Sequence, residues 1–430
     1  MWGVYFDTQP FFVGTTAILG RMSRRAYYGP LAPLRARDLR PVALPGKRWI
    51  RVRNRMAGIG AEELSLVHLD VDPRVSPVAA PRPRRLYLGR EVVGEVVEVG
   101  PGTQFLRVGD RVAYQNDQSC ATREIEPPCR HCAAGNYALC ENRYLPGPQA
   151  IGGGWSEEMV LHERQVFLIP DGLTDEQAAL VEPTAVALRA AMRRLPQPGE
   201  TSMVIGAGTI GLLTTQAVRA LGPEGTNITV LARYPFQVEM AARMGGDTVL
   251  YDEDLAVAVA RLTGGQRFHS RFGADLMIGG FDTVYDTVGT SSTLNQALRW
   301  TRAGGTVVLV GNHLATLRVD MTPVWHQEIA IVGSRAHGAE TPPPSRAALV
   351  GRDRAGREST FQLAARLLRE HRLTPERLIT HRFPAHEVRR ALAVARKRGE
   401  HRAIKVMLDM RDPSGLDQPV AEVLTEEVQA

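Results

Sequence analysis

Residues 201–221, TSMVIGAGTIGLLTTQAVRAL, constrain the fold more than any other stretch of the chain. Met203-Val204-Ile205 reads as a short apolar strand. Gly206-Ala207-Gly208-Thr209-Ile210-Gly211 is a G-x-G-x-x-G turn, and Ile210 to Leu221 carries a helical apolar pattern. A second strand, Asn227 to Leu231, closes a βαβ unit of about 30 residues. Gly206 permits the tight turn, Gly208 lets a pyrophosphate approach the backbone, and Gly211 lets helix and strand pack closely. The helix N-terminus, at Ile210, attracts the phosphate charge. Further strand-like runs follow at Asp282–Asp286, Gly305–Gly311 and Glu328–Gly333, with helical segments between them, including Ser291 to Thr301. This alternation is the signature of a doubly wound parallel sheet with helices on both faces. It predicts an α/β Rossmann unit over roughly 190 to 340.

The end of the second strand bears on the cofactor. A site for NAD usually places Asp or Glu there to bind the ribose 2′-hydroxyl; this chain has Ala232-Arg233-Tyr234. An acid would repel a 2′-phosphate, whereas Arg233 would pair with one, so the expected cofactor is NADP(H) in preference to NAD(H). The alternative is that Arg233 stacks on adenine or points to solvent.

All four cysteines fall in one segment, Cys120, Cys129, Cys132 and Cys140, spaced C-x8-C-x2-C-x7-C in a Pro- and Gly-containing loop. Four thiolates close a tetrahedral zinc shell with no open position, so the expectation is one structural zinc per chain. Two disulfides or free thiols are the alternatives.

The chain has 430 residues, enough for two domains, and 52 Lys+Arg against 46 Asp+Glu. The basic residues are nearly all Arg, with Lys47, Lys397 and Lys405 the three lysines, and they are interleaved with acids. That pattern is a solvated surface and excludes nucleic acid as an expected partner. The apolar run Phe11–Leu19 is preceded by Asp7 and followed by Arg21, Arg24 and Arg25, the reverse of a secretory signal, and it is too short to span a membrane. Residues 1–21 are expected to be an extension packed on the body or on a partner, in a cytoplasmic protein without a membrane partner. The stretch Thr341–Ser359 reads as a surface loop or hinge. Phe361–Leu373 and Ala385–Arg398 read as amphipathic helices, and 411–430 as a flexible tail.

The ordered set of motifs resembles the zinc-containing medium-chain alcohol dehydrogenases. It comprises Gly109-Asp110-Arg111-Val112 before the Cys loop, Gly135 within it, and Glu182-Pro183 ahead of the Rossmann unit. Ile379-Thr380-His381-Arg382-Phe383 and Lys405-Val406-Met407-Leu408 complete it. The resemblance implies a GroES-like, mostly β catalytic domain built from residues 22–189 and 341–410, with the Cys lobe at 120–140 and the Rossmann domain, 190–340, inserted. It also implies a small-molecule substrate and homo-oligomers, dimers or tetramers, assembled through the edge of the Rossmann sheet.

Family members that oxidise alcohols hold a second, catalytic zinc through G-I-C-G-x-D, G-H-E and a Cys or Glu before the cofactor domain. The matching segments here are Gly58-Ile59-Gly60-Ala61-Glu62-Glu63, Gly89-Arg90-Glu91 and Glu182-Pro183. Gly60 offers no ligand and Arg90 is always protonated, so only Glu182 survives and no catalytic zinc is expected. Without the ion, Glu182 and Glu91 would be buried anions, which suggests that Arg90 takes the place of the metal and pairs with Glu182; the alternative is that Arg90 turns out to solvent and the pocket is lost. An oxygen-only metal site made by Glu62, Glu63, Glu91 and Glu182 is a further alternative. The expected chemistry is hydride transfer, to or from a carbonyl polarised by Arg90 or to a conjugated double bond, with Glu62 or Glu182 supplying a proton. A non-catalytic NADP(H)-binding homologue and a zinc alcohol dehydrogenase with atypical ligands are the competing readings.

Overall fold

Alternating side chains along strand Thr201–Ile205 divide the cofactor domain into two packed layers. Met203 and Ile205 point into one core with Val284, Leu298 and Val307; Val204 points into the other with Leu212, Val218 and Tyr285. The computed structural model describes residues 1–40, 42–72, 74–75, 83–115, 118–273, 275–341 and 357–411. Six parallel strands form this sheet in the order Thr248–Leu250, Asn227–Leu231, Thr201–Ile205, Phe281–Asp286, Thr301–Leu309, Ala330–Gly333. In chain order that is 3-2-1-4-5-6, the doubly wound arrangement read from the sequence. Phe281–Asp286 is buried along its whole length, as a strand covered on both faces must be. The antiparallel hairpin Gln266–Phe268/Leu276–Ile278 is an excursion that the periodicity did not signal.

A seven-stranded sheet makes the second domain and draws strands from both ends of the chain. Strand Lys405–Asp409 pairs antiparallel with Trp49–Gly58, with Leu408 opposite Ala57. Trp49–Gly58 also pairs with Val92–Val99 and Glu158–His162. The long register brings residue 405 beside residues 58–60, which the linear sequence keeps far apart. Helix Val181–Arg193 crosses the expected division at 189/190. It buries Ala185 and Leu188 against helices Thr209–Leu221 and Thr360–Arg369 in one continuous core.

The first residues are part of this body. Strand Trp2–Asp7 pairs with Leu34–Asp38 and Arg85–Tyr87, and the apolar run forms helix Pro10–Met22. Thr16 faces inward, its hydroxyl donating to the Leu31 carbonyl, while Phe11, Ile18 and Met22 stay exposed. No helix among the described residues is long and apolar enough to cross a membrane. Most of the expected loop at 341–359 and of the tail at 411–430 lies outside the described residues.

Candidate active site

The Cys lobe is the simplest site to build. Ile125 N donates to the Cys120 carbonyl at 3.0 Å, so the eight-residue spacer folds back on itself. Cys129 then arrives with its own N–H on Cys120 Sγ. All four sulfurs lie within 4.8 Å of one another, and Cys120 Sγ is 3.7 Å from Cys140 Sγ. Four thiolates around one zinc, with bonds of about 2.3 Å, put their sulfurs ~3.8 Å apart, whereas a disulfide requires about 2.05 Å. The donor set therefore fits zinc. The lobe docks on the rest of the protein through backbone carbonyls, Arg335 donating to Ala138 and Arg357 to Ala134.

At the cofactor turn, Gly206 has φ +103°, and a Cβ there would meet Val288 Cγ2 at 2.6 Å. A side chain on Gly211 would collide with the Gly206 carbonyl. Beside Gly208, the N-cap of helix Thr209–Leu221, the direction of a Cβ is open space. That opening faces the unsatisfied N–H groups of the first helical turn, including Ile210, and fits a dinucleotide phosphate. Arg233 is exposed, with its guanidinium 5.5 Å from the centre of the Tyr234 ring. Gln237 Oε1 accepts from the Arg233 and Tyr234 N–H groups and fixes the turn after the strand.

The acidic pocket forms where strand Trp49–Gly58 passes into helix Ala61–Val67. Gly60 is the helix N-cap, so Glu62 and Glu63 fall in the first turn, where the helix dipole favours carboxylates. Glu63 is buried, and its Oε2 lies where the Cβ of any side chain at Gly60 would go. Glu91 Oε1 is 3.6 Å from the same point. On its other oxygen Glu91 meets Lys405, Nζ to Oε2 at 2.5 Å, and Lys405 also donates to the Ile59 carbonyl. Glu182, in the first turn of Val181–Arg193, has no hydrogen bond or ion pair with its side chain among the described residues. Burial pushes its carboxyl up to about 8; Glu91 and Glu63 add to the rise, while Arg90 and Lys405 oppose it. Burial raises Glu63 too, again against Arg90.

One expectation about the pocket needs correcting. Arg90 forms its ion pair with Glu62, not Glu182. Both partners are more than a third exposed, so the guanidinium keeps its hydration at the rim, and a Glu182 carboxyl neutral at pH 7 needs no counter-ion. The counter-ion of Glu91 is Lys405, which the sequence shows only within the motif Lys405-Val406-Met407-Leu408; a lysine between Ile404 and Val406, one of three in the chain, is the available signal. Nor do the four glutamates form an oxygen-only metal site. Among the described residues only the Cys quartet brings three or more His, Cys, Asp or Glu ligand atoms within 4.8 Å of one another. Gly60, Arg90 and Glu182 do not fit a catalytic zinc either, because the first lacks a donor atom and the second carries the wrong charge.

Comparison with known proteins agrees with this architecture. Residues 46–171 match the alcohol dehydrogenase GroES-like domain and residues 209–349 the zinc-binding dehydrogenase domain. L-idonate 5-dehydrogenase from Vitis vinifera is 28% identical over 388 residues, covering 88% of this chain and 93% of that protein. (R,R)-butanediol dehydrogenase from Bacillus subtilis is 32% identical over 280 residues, 63% of this chain and 71% of that one. Among solved structures, alcohol dehydrogenase TADH from Thermus sp. ATN1 superposes with TM-score 0.67 at 23% identity, covering 95% of this chain and 99% of that one. The chain belongs to the zinc-type alcohol dehydrogenase-like family of medium-chain dehydrogenases and is an oxidoreductase of that type.

Proposed function

We propose that the chain is an NADP(H)-dependent oxidoreductase that keeps one structural zinc and interconverts a small carbonyl compound and its alcohol without a catalytic zinc. The observation that carries the reading is Glu63, whose carboxylate fills the place of a ligand at Gly60, next to a Glu182 held protonated near neutrality. Bound NADPH would supply the hydride. The chain would do the rest. Arg90, half-exposed at the rim with Glu62, orients and polarises the substrate oxygen as a fixed cation. Glu182 gives the proton that the new alkoxide needs, and takes it back in the oxidative direction. Lys405 occupies Glu91 in an ion pair, so Glu91 is not available to Glu182 as a partner, and the charge of Glu91 adds to the rise at Glu182. Arg233 supports the choice of NADP(H).

The four clustered thiols, with sulfurs within 4.8 Å of one another, support a structural zinc, and a zinc-binding rather than disulfide use of cysteine supports a cytoplasmic location. Edge strand Ala330–Gly333, with Ile331 exposed, supports assembly into dimers or tetramers through the Rossmann sheet.

The test is metal content together with turnover. The reading expects one zinc per chain and NADPH oxidation with aldehydes or ketones that survives a chelator selective for exposed zinc. Two zincs per chain, or loss of turnover on chelation with the Cys lobe still loaded, would overturn it. Micromolar NADPH binding with no turnover on carbonyls, enones or quinones would favour the non-catalytic binder, for which the missing ligands at Gly60 and Arg90 speak.

A further inference from the structure

Tyr234 sits where the two domains meet. On the cofactor domain, the Arg233 guanidinium lies over its ring. On the catalytic domain, helix Val388–Arg396 runs into the short helix Arg398–His401, and Gly399 packs so tightly on the ring that a Cβ would come within 2.7 Å of Tyr234 Cε1. The neighbouring cations have partners: Arg396 Nη1 is 2.5 Å from Asp70 Oδ2, and Lys397 Nζ is 3.1 Å from Glu400 Oε2. Arg398 is half-buried and, among the described residues, has no ion pair and no side-chain hydrogen bond. Arg233 likewise has no carboxylate partner among the described residues. Burial and the charges of Arg396 and Arg233 lower the Arg398 pKa, while Tyr234 raises it. Two guanidiniums without a carboxylate partner among the described residues thus come from different domains to one seam, Arg233 over the Tyr234 ring and Arg398 next to the Gly399 that packs on that ring, and their charges oppose each other until a dianion enters. The same seam holds a contact from the cofactor helix, Thr209 Oγ1 donating to the Ile404 carbonyl at 3.4 Å.

We propose that Arg398 is a second determinant of NADP(H) specificity, closing with Arg233 on the 2′-phosphate so that this group clamps the catalytic domain to the Rossmann domain. The proposal rests on the NADP(H) reading above and adds a residue from the other domain. NAD(H) would lie in the same cradle without drawing the two arginines together.

Isothermal titration of the full chain with 2′,5′-ADP and with ADP tests both levels separately. The wild type should bind 2′,5′-ADP at least tenfold more tightly than ADP. Arg398→Ala should weaken 2′,5′-ADP and NADPH about tenfold, leave ADP and NADH within twofold, and be partly rescued by Arg398→Lys. Unchanged 2′,5′-ADP binding in Arg398→Ala, with a loss in Arg233→Ala, would overturn the clamp and leave the NADP(H) reading standing. Equal wild-type affinity for 2′,5′-ADP and ADP would overturn both. The unchanged ADP and NADH affinities report that the variant is folded.

Discussion

Lys405 and Glu91 are 314 residues apart in the chain and meet as a buried ion pair, with Nζ 2.5 Å from Oε2 and the lysine side chain only 2% exposed. Removing one member leaves the other charged and without a partner in a dry place. Lys405→Met is therefore expected to destabilise the protein by about 3–5 kcal/mol. Adding Glu91→Gln should recover a large part of that loss. Denaturant unfolding of the two variants checks this; equal stability of Lys405→Met and wild type would contradict it.

Glu182 makes the pocket sensitive to pH. A donor must be protonated, and its proton is lost as pH rises through about 8. Carbonyl reduction should hold steady below that pH and fall about tenfold per unit above it, while alcohol oxidation should climb and level off over the same range. Glu182→Gln should flatten both profiles and lower kcat by roughly 10²–10⁴. Stability follows the same proton. The folded chain holds it and the unfolded chain, with an ordinary carboxyl near 4.5, does not, so stability declines as pH rises from about 4.5 to about 8. Glu182→Gln should accordingly melt a few degrees above wild type at pH 9 and close to it at pH 4.

What was legible in the sequence is local or periodic. The glycines of residues 206–211 demand a tight turn and a close helix wherever they occur, so the βαβ unit could be read without knowing its surroundings. The Cys spacing likewise lies within one loop. The pocket was read only in part, because its electrostatics depend on residues brought together by the register of strand Lys405–Asp409 on Trp49–Gly58. The motif positions gave Glu62, Arg90, Glu91 and Glu182, but not which acid each cation would choose. That choice follows from depth: Arg90 remains at the wet rim, and Lys405 reaches the dry interior. The approach of Gly399 to Tyr234 is similarly long-range and carries no motif.

The Cys lobe should behave as a structural metal site. Withdrawing its zinc with a thiol-directed reagent and a chromogenic chelator should release one equivalent per chain. It should lower the melting temperature, because the lobe's sulfurs would lose the ion that holds loop 120–140 together. Cys129→Ser should reduce zinc content well below one per chain. Zinc that stays at one equivalent in that variant would place the ion elsewhere.

Restoring a catalytic zinc requires more than supplying the missing ligands. Gly60→Cys with Arg90→His would add a thiolate and an imidazole next to Glu182, a three-ligand set on paper. The Cβ of the new cysteine, however, enters space occupied by Glu63 Oε2, with Glu91 close behind. The buried carboxyl must move for the ligand set to close. The double variant should therefore still bind one zinc per chain, whereas adding Glu63→Ala, which opens the space, should raise it to two. Elemental analysis of both proteins after dialysis decides the matter: a second zinc in the double variant would show that Glu63 is no obstacle, and one zinc in the triple variant would show that the three positions do not converge.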